Sequence, residues 1–251
     1  MSTGAVTLEE LKLGFNGVVA ANITLTVRAG EVVVFLGPSG CGKSTILRAL
    51  AGLLTPISGT ATVDGAPVTG NAAQCAMVFQ EDALFPWRTA LKNVQYPLKL
   101  RGLRGKELKA AATARLEQVG LAAYLDHLPS QLSGGMLQRV QLARTLACEP
   151  RVMLMDEPFG ALDAQTRREM QGLLMSVWET QKMTILFVTH DVDEALLLAD
   201  RVVLLSHRPA TVADIVIIDT PRNAEAQFEE TYQQRRRAIL EFLGHRHAET
   251  A

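Results

Sequence analysis

Apolar and polar residues change rhythm along this chain, and each change predicts a new kind of element. Short apolar runs at Ala5–Leu11, Ile23–Val27 and Glu31–Leu36 read as strands. Val32-Val33-Val34-Phe35-Leu36 is continuously apolar, as expected of a central strand buried on both faces. From Ser44 to Leu54 the period becomes helical, with Ile46, Leu47, Leu50 and Leu54 on one stripe. Gly59 and Gly65 bracket a small hairpin around Thr60–Val63, and Ala76–Phe79 is another buried strand ending at Gln80. The composition then shifts to Ala, Leu, Lys and Glu. Thr89–Leu100, Gly105–Val119, Leu121–Leu128 and Met136–Ala147 are predicted helices.

Strands return at Arg151–Asp156 and Thr184–Val188, separated by a helix over Ala164–Gln181. Asp191 is a helix N-cap with Glu194 as the reciprocal acid of a capping box. Arg201–Leu205 and Thr211–Ile218 are two more strands, and Glu225–Leu243 is helical, with Arg235-Arg236-Arg237 on a solvated face. The order defines an α/β fold in one domain. Residues 1–85 and 150–220 form the core, 86–149 an inserted helical lobe and 221–251 a C-terminal helical tail.

A chain of 251 residues is long enough to bury a sizeable core. Its 25 basic and 26 acidic residues leave a net charge of −1, which argues against a broad nucleic-acid surface. Cys41, Cys75 and Cys148 show no C-x-x-C spacing, so neither a zinc site nor a disulfide framework is indicated. No apolar run reaches the roughly 18 residues needed to span a bilayer. The N-terminus, with Glu9 and Glu10, lacks a signal core. A cytosolic chain that meets a membrane through a partner is the expectation.

Gly37-Pro38-Ser39-Gly40-Cys41-Gly42-Lys43-Ser44 matches G-x-x-x-x-G-K-[ST] between a strand and a helix, the context that motif requires. Glycines let backbone N–H groups face phosphates, the helix start adds its positive end, Lys43 adds a point charge and Ser44 a magnesium-binding hydroxyl. Asp156 ends an apolar strand, where it holds magnesium, and Glu157 is placed to orient and deprotonate water. His190 and Gln80 follow other strands. That puts them at the carboxyl edge of a parallel sheet, where ligands bind. His190 is read as a γ-phosphate contact. Gln80 is read as a ligand of magnesium or the water that also opens the helical lobe.

GPSGCGKST (Gly37 to Thr45), VFQ, LSGGM-LQR, VMLMDEP, GALD and VTHD occur in one order, and together they resemble the nucleotide-binding subunits of ABC transporters. The resemblance implies a P-loop NTPase (RecA-like) core with an inserted helical subdomain and an antiparallel β subdomain, binding ATP and Mg2+. It implies a homodimer in which Ser133, Gly134 and Gly135 of one copy close over the γ-phosphate held by the other's Lys43. Asp163 resembles the loop crossing the dimer seam, and Phe15 the aromatic that stacks on adenine. Met136 stands where the family usually has Gln; Ser133 and both glycines are intact, so closure is expected to survive.

Leu84-Phe85-Pro86-Trp87 and Leu205-Ser206-His207-Arg208-Pro209-Ala210 resemble importers of nitrate, aliphatic sulfonates and taurine. The implied partners are transmembrane permease subunits and, indirectly, an extracytoplasmic solute-binding protein, with the chain peripheral on the cytoplasmic face of the inner membrane. A pyrimidine-like solute stays open. A DNA-repair ATPase would need a long coiled coil between the loop and Ser133, and a translation ATPase would need two cassettes in tandem. A nucleotide kinase or non-hydrolysing module differs in lacking steady ATP turnover without an acceptor.

Overall fold

The computed structural model describes residues 3–14, 17–70, 74–79, 83–219, 222 and 226–248. β1 (Val6–Gly14) and β2 (Val18–Val27) form an antiparallel pair, and β3 (Val32–Leu36) leads into α1 (Lys43–Leu50). α1 is shorter than the predicted 44–54 helix. Gly52, at φ 72°, donates its N–H to Ala49 O while Leu53 N–H returns to Arg48 O, which closes the helix end. β4 (Ser58–Val63) and β5 (Ala66–Pro67) complete a four-stranded antiparallel sheet in the order β2-β1-β4-β5.

β6 (Cys75–Val78) starts the far edge of the second sheet and precedes the helical lobe. The lobe contains α2 (Ala90–Leu100), α3 (Gly105–Gln118) and α4 (Gly134–Leu146). Thr89 caps α2 by accepting from Lys92 N–H at 3.3 Å. The predicted helix at Leu121–Leu128 is corrected here: only single 3₁₀ turns form, at Ala122–Tyr124 and Pro129–Gln131. The carbonyls of Leu125 and His127 instead accept from Leu91 and Ala90 N–H at the start of α2. They satisfy α2's orphan donors rather than continuing a helix of their own.

The chain then returns through β7 (Val152–Asp156), α5 (Ala164–Gln181), β8 (Thr184–Val188), α6 (Val192–Leu198), β9 (Arg201–Leu205) and β10 (Val212–Ile217), ending in α7 (Glu230–Ala248). The second sheet has the order β10-β9-β3-β8-β7-β6, parallel except for the β10 edge. Its central strands serve two cores, because successive side chains point to opposite faces. Val32, Val34 and Leu36 pack with the helices from α2 to α7, while Val33 and Phe35 pack with α1 and the antiparallel sheet. Met153, Met155, Ile185 and Phe187 divide from Val152, Leu154, Leu186 and Val188 in the same way.

Buried Tyr232 and Ile239 anchor α7 on the helical face of the sheet. Arg235-Arg236-Arg237 lies on a solvated face, with Arg237 exposed and the other two in surface ion pairs. Arg235 pairs with Asp219 at 2.5 Å and Arg236 with Asp193 at 2.7 Å. Among the described residues no helix is long and apolar enough to cross a membrane.

Candidate functional site

The C-terminal ends of β3, β7 and β8 converge on one edge of the parallel sheet, where the topology leaves a binding crevice. β3 delivers the glycine loop. Gly42 sits at φ 117°, and a Cβ there would lie 2.8 Å from Val19 Cγ1, so the antiparallel sheet itself demands glycine. The loop curls around the ammonium of buried Lys43, whose Nζ donates to Gly37 O at 2.8 Å and Pro38 O at 3.0 Å. Cys41 is buried beside Gly37, and burial pushes its thiol up, which marks it as packing rather than a nucleophile. Ser39, Gly40 and Thr45 complete the turn and the first turn of α1, and Gly40 is in the left-handed region at φ 73°.

Ser44 Oγ donates to Asp156 Oδ1 at 2.7 Å, joining α1 to the end of β7. Burial pushes the Asp156 carboxyl above the usual carboxylate range, against the Ser44 hydroxyl, Arg48 and Lys43. A buried, negatively charged oxygen beside a hydroxyl is the hard donor set that magnesium prefers, so these two residues fit the ion. Register places Asp156 opposite Val188, so the residues that follow the two strands are neighbours. Glu157 Oε2 lies 3.1 Å from His190 Nδ1. Glu157 is held at φ 44°, a strained backbone for a non-glycine residue, by N–H donation to Val188 O and acceptance from Gly160 N–H. His190 is 67% exposed and Glu157 23%, so the pair opens to solvent on the imidazole side.

Asp191 caps α6 as expected, accepting from Asp193 and Glu194 N–H. The reciprocal half of the capping box does not form. Asp191 N–H donates to Thr189 Oγ1, and buried Glu194 turns inward to accept from Gln171 Nε2 at 3.0 Å. Ser133 caps α4 through Met136 N–H at 3.4 Å, so Gly134 and Gly135 form its first turn. The Met136 side chain is half-buried and packs against the helical core. Asp163 caps α5 and also accepts from Thr166 Oγ1 at 2.6 Å, and the Thr166 bonds hold its carboxyl below the usual range. Arg167 ties the two neighbouring loops together, donating to Leu162 O and to Asp191 Oδ2.

Phe15 and Gln80 lie outside the described residues. The segments on either side of Gln80 are held by α4: Gln141 Nε2 donates to Phe79 O at 3.3 Å and Arg144 Nη1 to Ala83 O at 2.6 Å. Thr166, Arg167 and Arg144 were not candidates in the sequence, because their contacts cross between elements.

A model of the ABC transporter family matches residues 20–160, which takes in the phosphate loop, the Ser133–Gly135 turn and Asp156-Glu157. The chain belongs to the ABC transporter family. It is an ATP hydrolase of the ABC type. It is 48% identical to the nitrate import ATP-binding protein NrtD of Synechocystis sp. over 91% of this chain and 87% of that protein. It is 47% identical to the taurine import ATP-binding protein TauB of Yersinia pestis over 77% of this chain and 76% of that protein. The ATP-binding cassette MJ0796, solved as a post-hydrolysis dimer with ADP and Pi, is 30% identical. It superposes with a TM-score of 0.76 over 85% of this chain and 98% of its own.

Proposed function

We propose that this ABC ATPase energises import of a small inorganic or sulfonated anion through a separate membrane permease, working as an ATP-sandwich homodimer. The observation that carries the hydrolytic part of the reading is the pairing of Glu157 with His190 beside the Ser44–Asp156 contact, at the edge where Lys43 sits. The glycine loop and the start of α1 offer backbone N–H groups and Lys43 to the phosphates. Glu157 takes a proton from the attacking water as its oxygen bonds the γ-phosphorus and the bond to ADP breaks, while His190 holds Glu157 in place and contacts the γ-phosphate. Ser44 and Asp156, with Gln80 as a further ligand, would hold the magnesium that accompanies ATP, which would supply neutralisation of phosphate charge.

The dimeric state of MJ0796 supports the sandwich, in which Ser133, Gly134, Gly135 and Asp163 face the partner's nucleotide and Phe15 stacks on the base. The import names of the nitrate and taurine relatives support an anion cargo delivered by an extracytoplasmic binding protein. The chain then sits on the cytoplasmic face, docked to its permease. The docking surface is the turn at Phe85–Arg88 with the adjoining face of α2. There the Phe85 ring lies 5.8 Å from that of Trp87 and 4.9 Å from that of Tyr96 on α2, Arg88 stacks over Phe85 and Tyr96, and Trp87 is 73% exposed.

Glu157→Gln tests the reading. It leaves binding intact and removes the proton acceptor, so size-exclusion chromatography with Mg-ATP is expected to show a stable dimer with turnover lost. A variant that keeps wild-type turnover sinks the assignment.

A further inference from the structure

Thr166 stands at a junction that the reaction as described leaves unexplained. Its hydroxyl donates to Asp163 Oδ2 at 2.6 Å, and its N–H donates to Asp163 Oδ1 at 3.0 Å. Its methyl faces the other way. A Cβ built on Gly135 would lie 2.4 Å from Thr166 Cγ2, and one on Gly134 would lie 3.8 Å from Leu162 Cδ2. Gly135 is therefore small for a reason internal to this subunit: the first turn of α4 rests on the first turn of α5. One turn further along, the same two helices are joined by Arg139–Glu169 at 3.3 Å, and Gln165 Nε2 donates to Glu169 at 3.3 Å.

A threonine side chain has few χ1 wells, and here both branches are committed. Rotating the methyl away from Gly135 swings the hydroxyl off Asp163. Holding the hydroxyl on Asp163 fixes where the methyl lies against Gly135. The two loops thus share one torsion.

We propose that Thr166 is a positioning residue for ATP hydrolysis: it locks Asp163 to the Ser133–Gly135 turn, so that both meet the partner's nucleotide as one rigid edge. This rests on the sandwich-dimer reading. Thr166 touches no reacting atom. It removes relative motion between two groups that must arrive together, which is a gain in preorganisation rather than a new contact.

The test uses the full chain in the Glu157→Gln background and reads the ATP concentration at half-dimerisation by size-exclusion chromatography. Thr166→Val keeps the methyl and loses the Asp163 bond, whereas Thr166→Ser keeps the bond and loses the methyl. Thr166→Val is expected to raise the midpoint about tenfold, the scale of one hydrogen bond to a charged group, and Thr166→Ser to raise it by a smaller factor through the lost contact with Gly135. The affinity of the isolated subunit for a fluorescent ATP analogue stays at the parental value, which a general loss of the fold would not allow. Gly135→Ala is expected to weaken dimerisation further, and adding Thr166→Ser to it to recover part of the loss, because the colliding methyl is gone.

Parental midpoints in both Thr166 variants overturn the proposal. So does strict additivity of Gly135→Ala and Thr166→Ser, which needs no contribution from Thr166→Val and holds even if that variant folds poorly. If Glu157→Gln itself stays monomeric at every ATP concentration, the sandwich reading fails, and the proposal with it.

Discussion

Asp156 carries a charge that the folded chain does not welcome. Its ordinary value is 3.8, and burial raises it, with Glu157 adding to the rise and Ser44 opposing it. The folded state therefore holds more protons than the unfolded chain just above pH 3.8. The stability tied to this group is complete below that value and is lost as pH climbs through the raised one. At neutral pH the ionised carboxylate destabilises the fold. Asp156→Asn keeps an acceptor for Ser44 and removes the charge. In divalent-free buffer it is expected to melt about 2 °C higher at neutral pH, with a flatter pH dependence. Calorimetry across that range decides it, and an equal or lower melting point contradicts the account. Stability is thus exchanged for a charged oxygen at the proposed magnesium site, a common trade at functional sites.

At the scale of elements, the turn at Phe85–Thr89 before α2 is organised by a single side chain. Asn93 on α2 is fully buried, accepts from Phe85 N–H at 2.8 Å and donates to the carbonyls of Phe85, Arg88 and Thr89. Asn93→Ala strands these groups, and urea unfolding is expected to show a loss of about 2–3 kcal/mol. A loss near zero would mean water replaces the amide. Elements with local signals were legible in the sequence. The α5 span Ala164–Gln181 and the strands Thr184–Val188 and Arg201–Leu205 coincide with their apolar runs and, for α5, with the Asp163 cap. The Leu121–Leu128 helix failed because the carbonyls it needed belong to α2's donors, a demand no local pattern records. Glu194 failed as a capping partner because Gln171, far away in sequence, offers it a buried amide. Glycines and charged residues of the site were readable from motif order, whereas Thr166 was not, since its role lies in a contact between two helices.

At the scale of the whole molecule, the proposed active site is divided between copies. Lys43, Ser44, Asp156 and Glu157 belong to one half, and Ser133, Gly134 and Gly135 to the other. Specific ATPase activity is therefore expected to fall on dilution and to recover as the protein is concentrated at fixed ATP. A flat dilution series would point to a site complete in one chain. The two cores share their central strands, so helices and antiparallel sheet are tied into one cooperative body.

The order of the parallel sheet has a consequence for how this chain comes off the ribosome. β3, which carries the phosphate loop, is flanked by β8 and β9. Its residues pair with Ile185–Val188 on one side and Arg201–Leu204 on the other. Until those late segments emerge, Val32–Leu36 is a bare apolar strand with no ladder on either edge. Contacts so distant in sequence close slowly, and exposed strand edges invite misassembly in the interval. The segment that carries the phosphate loop is made early and gains its strand neighbours late, so its apolar edges stay unpaired for most of the chain's synthesis.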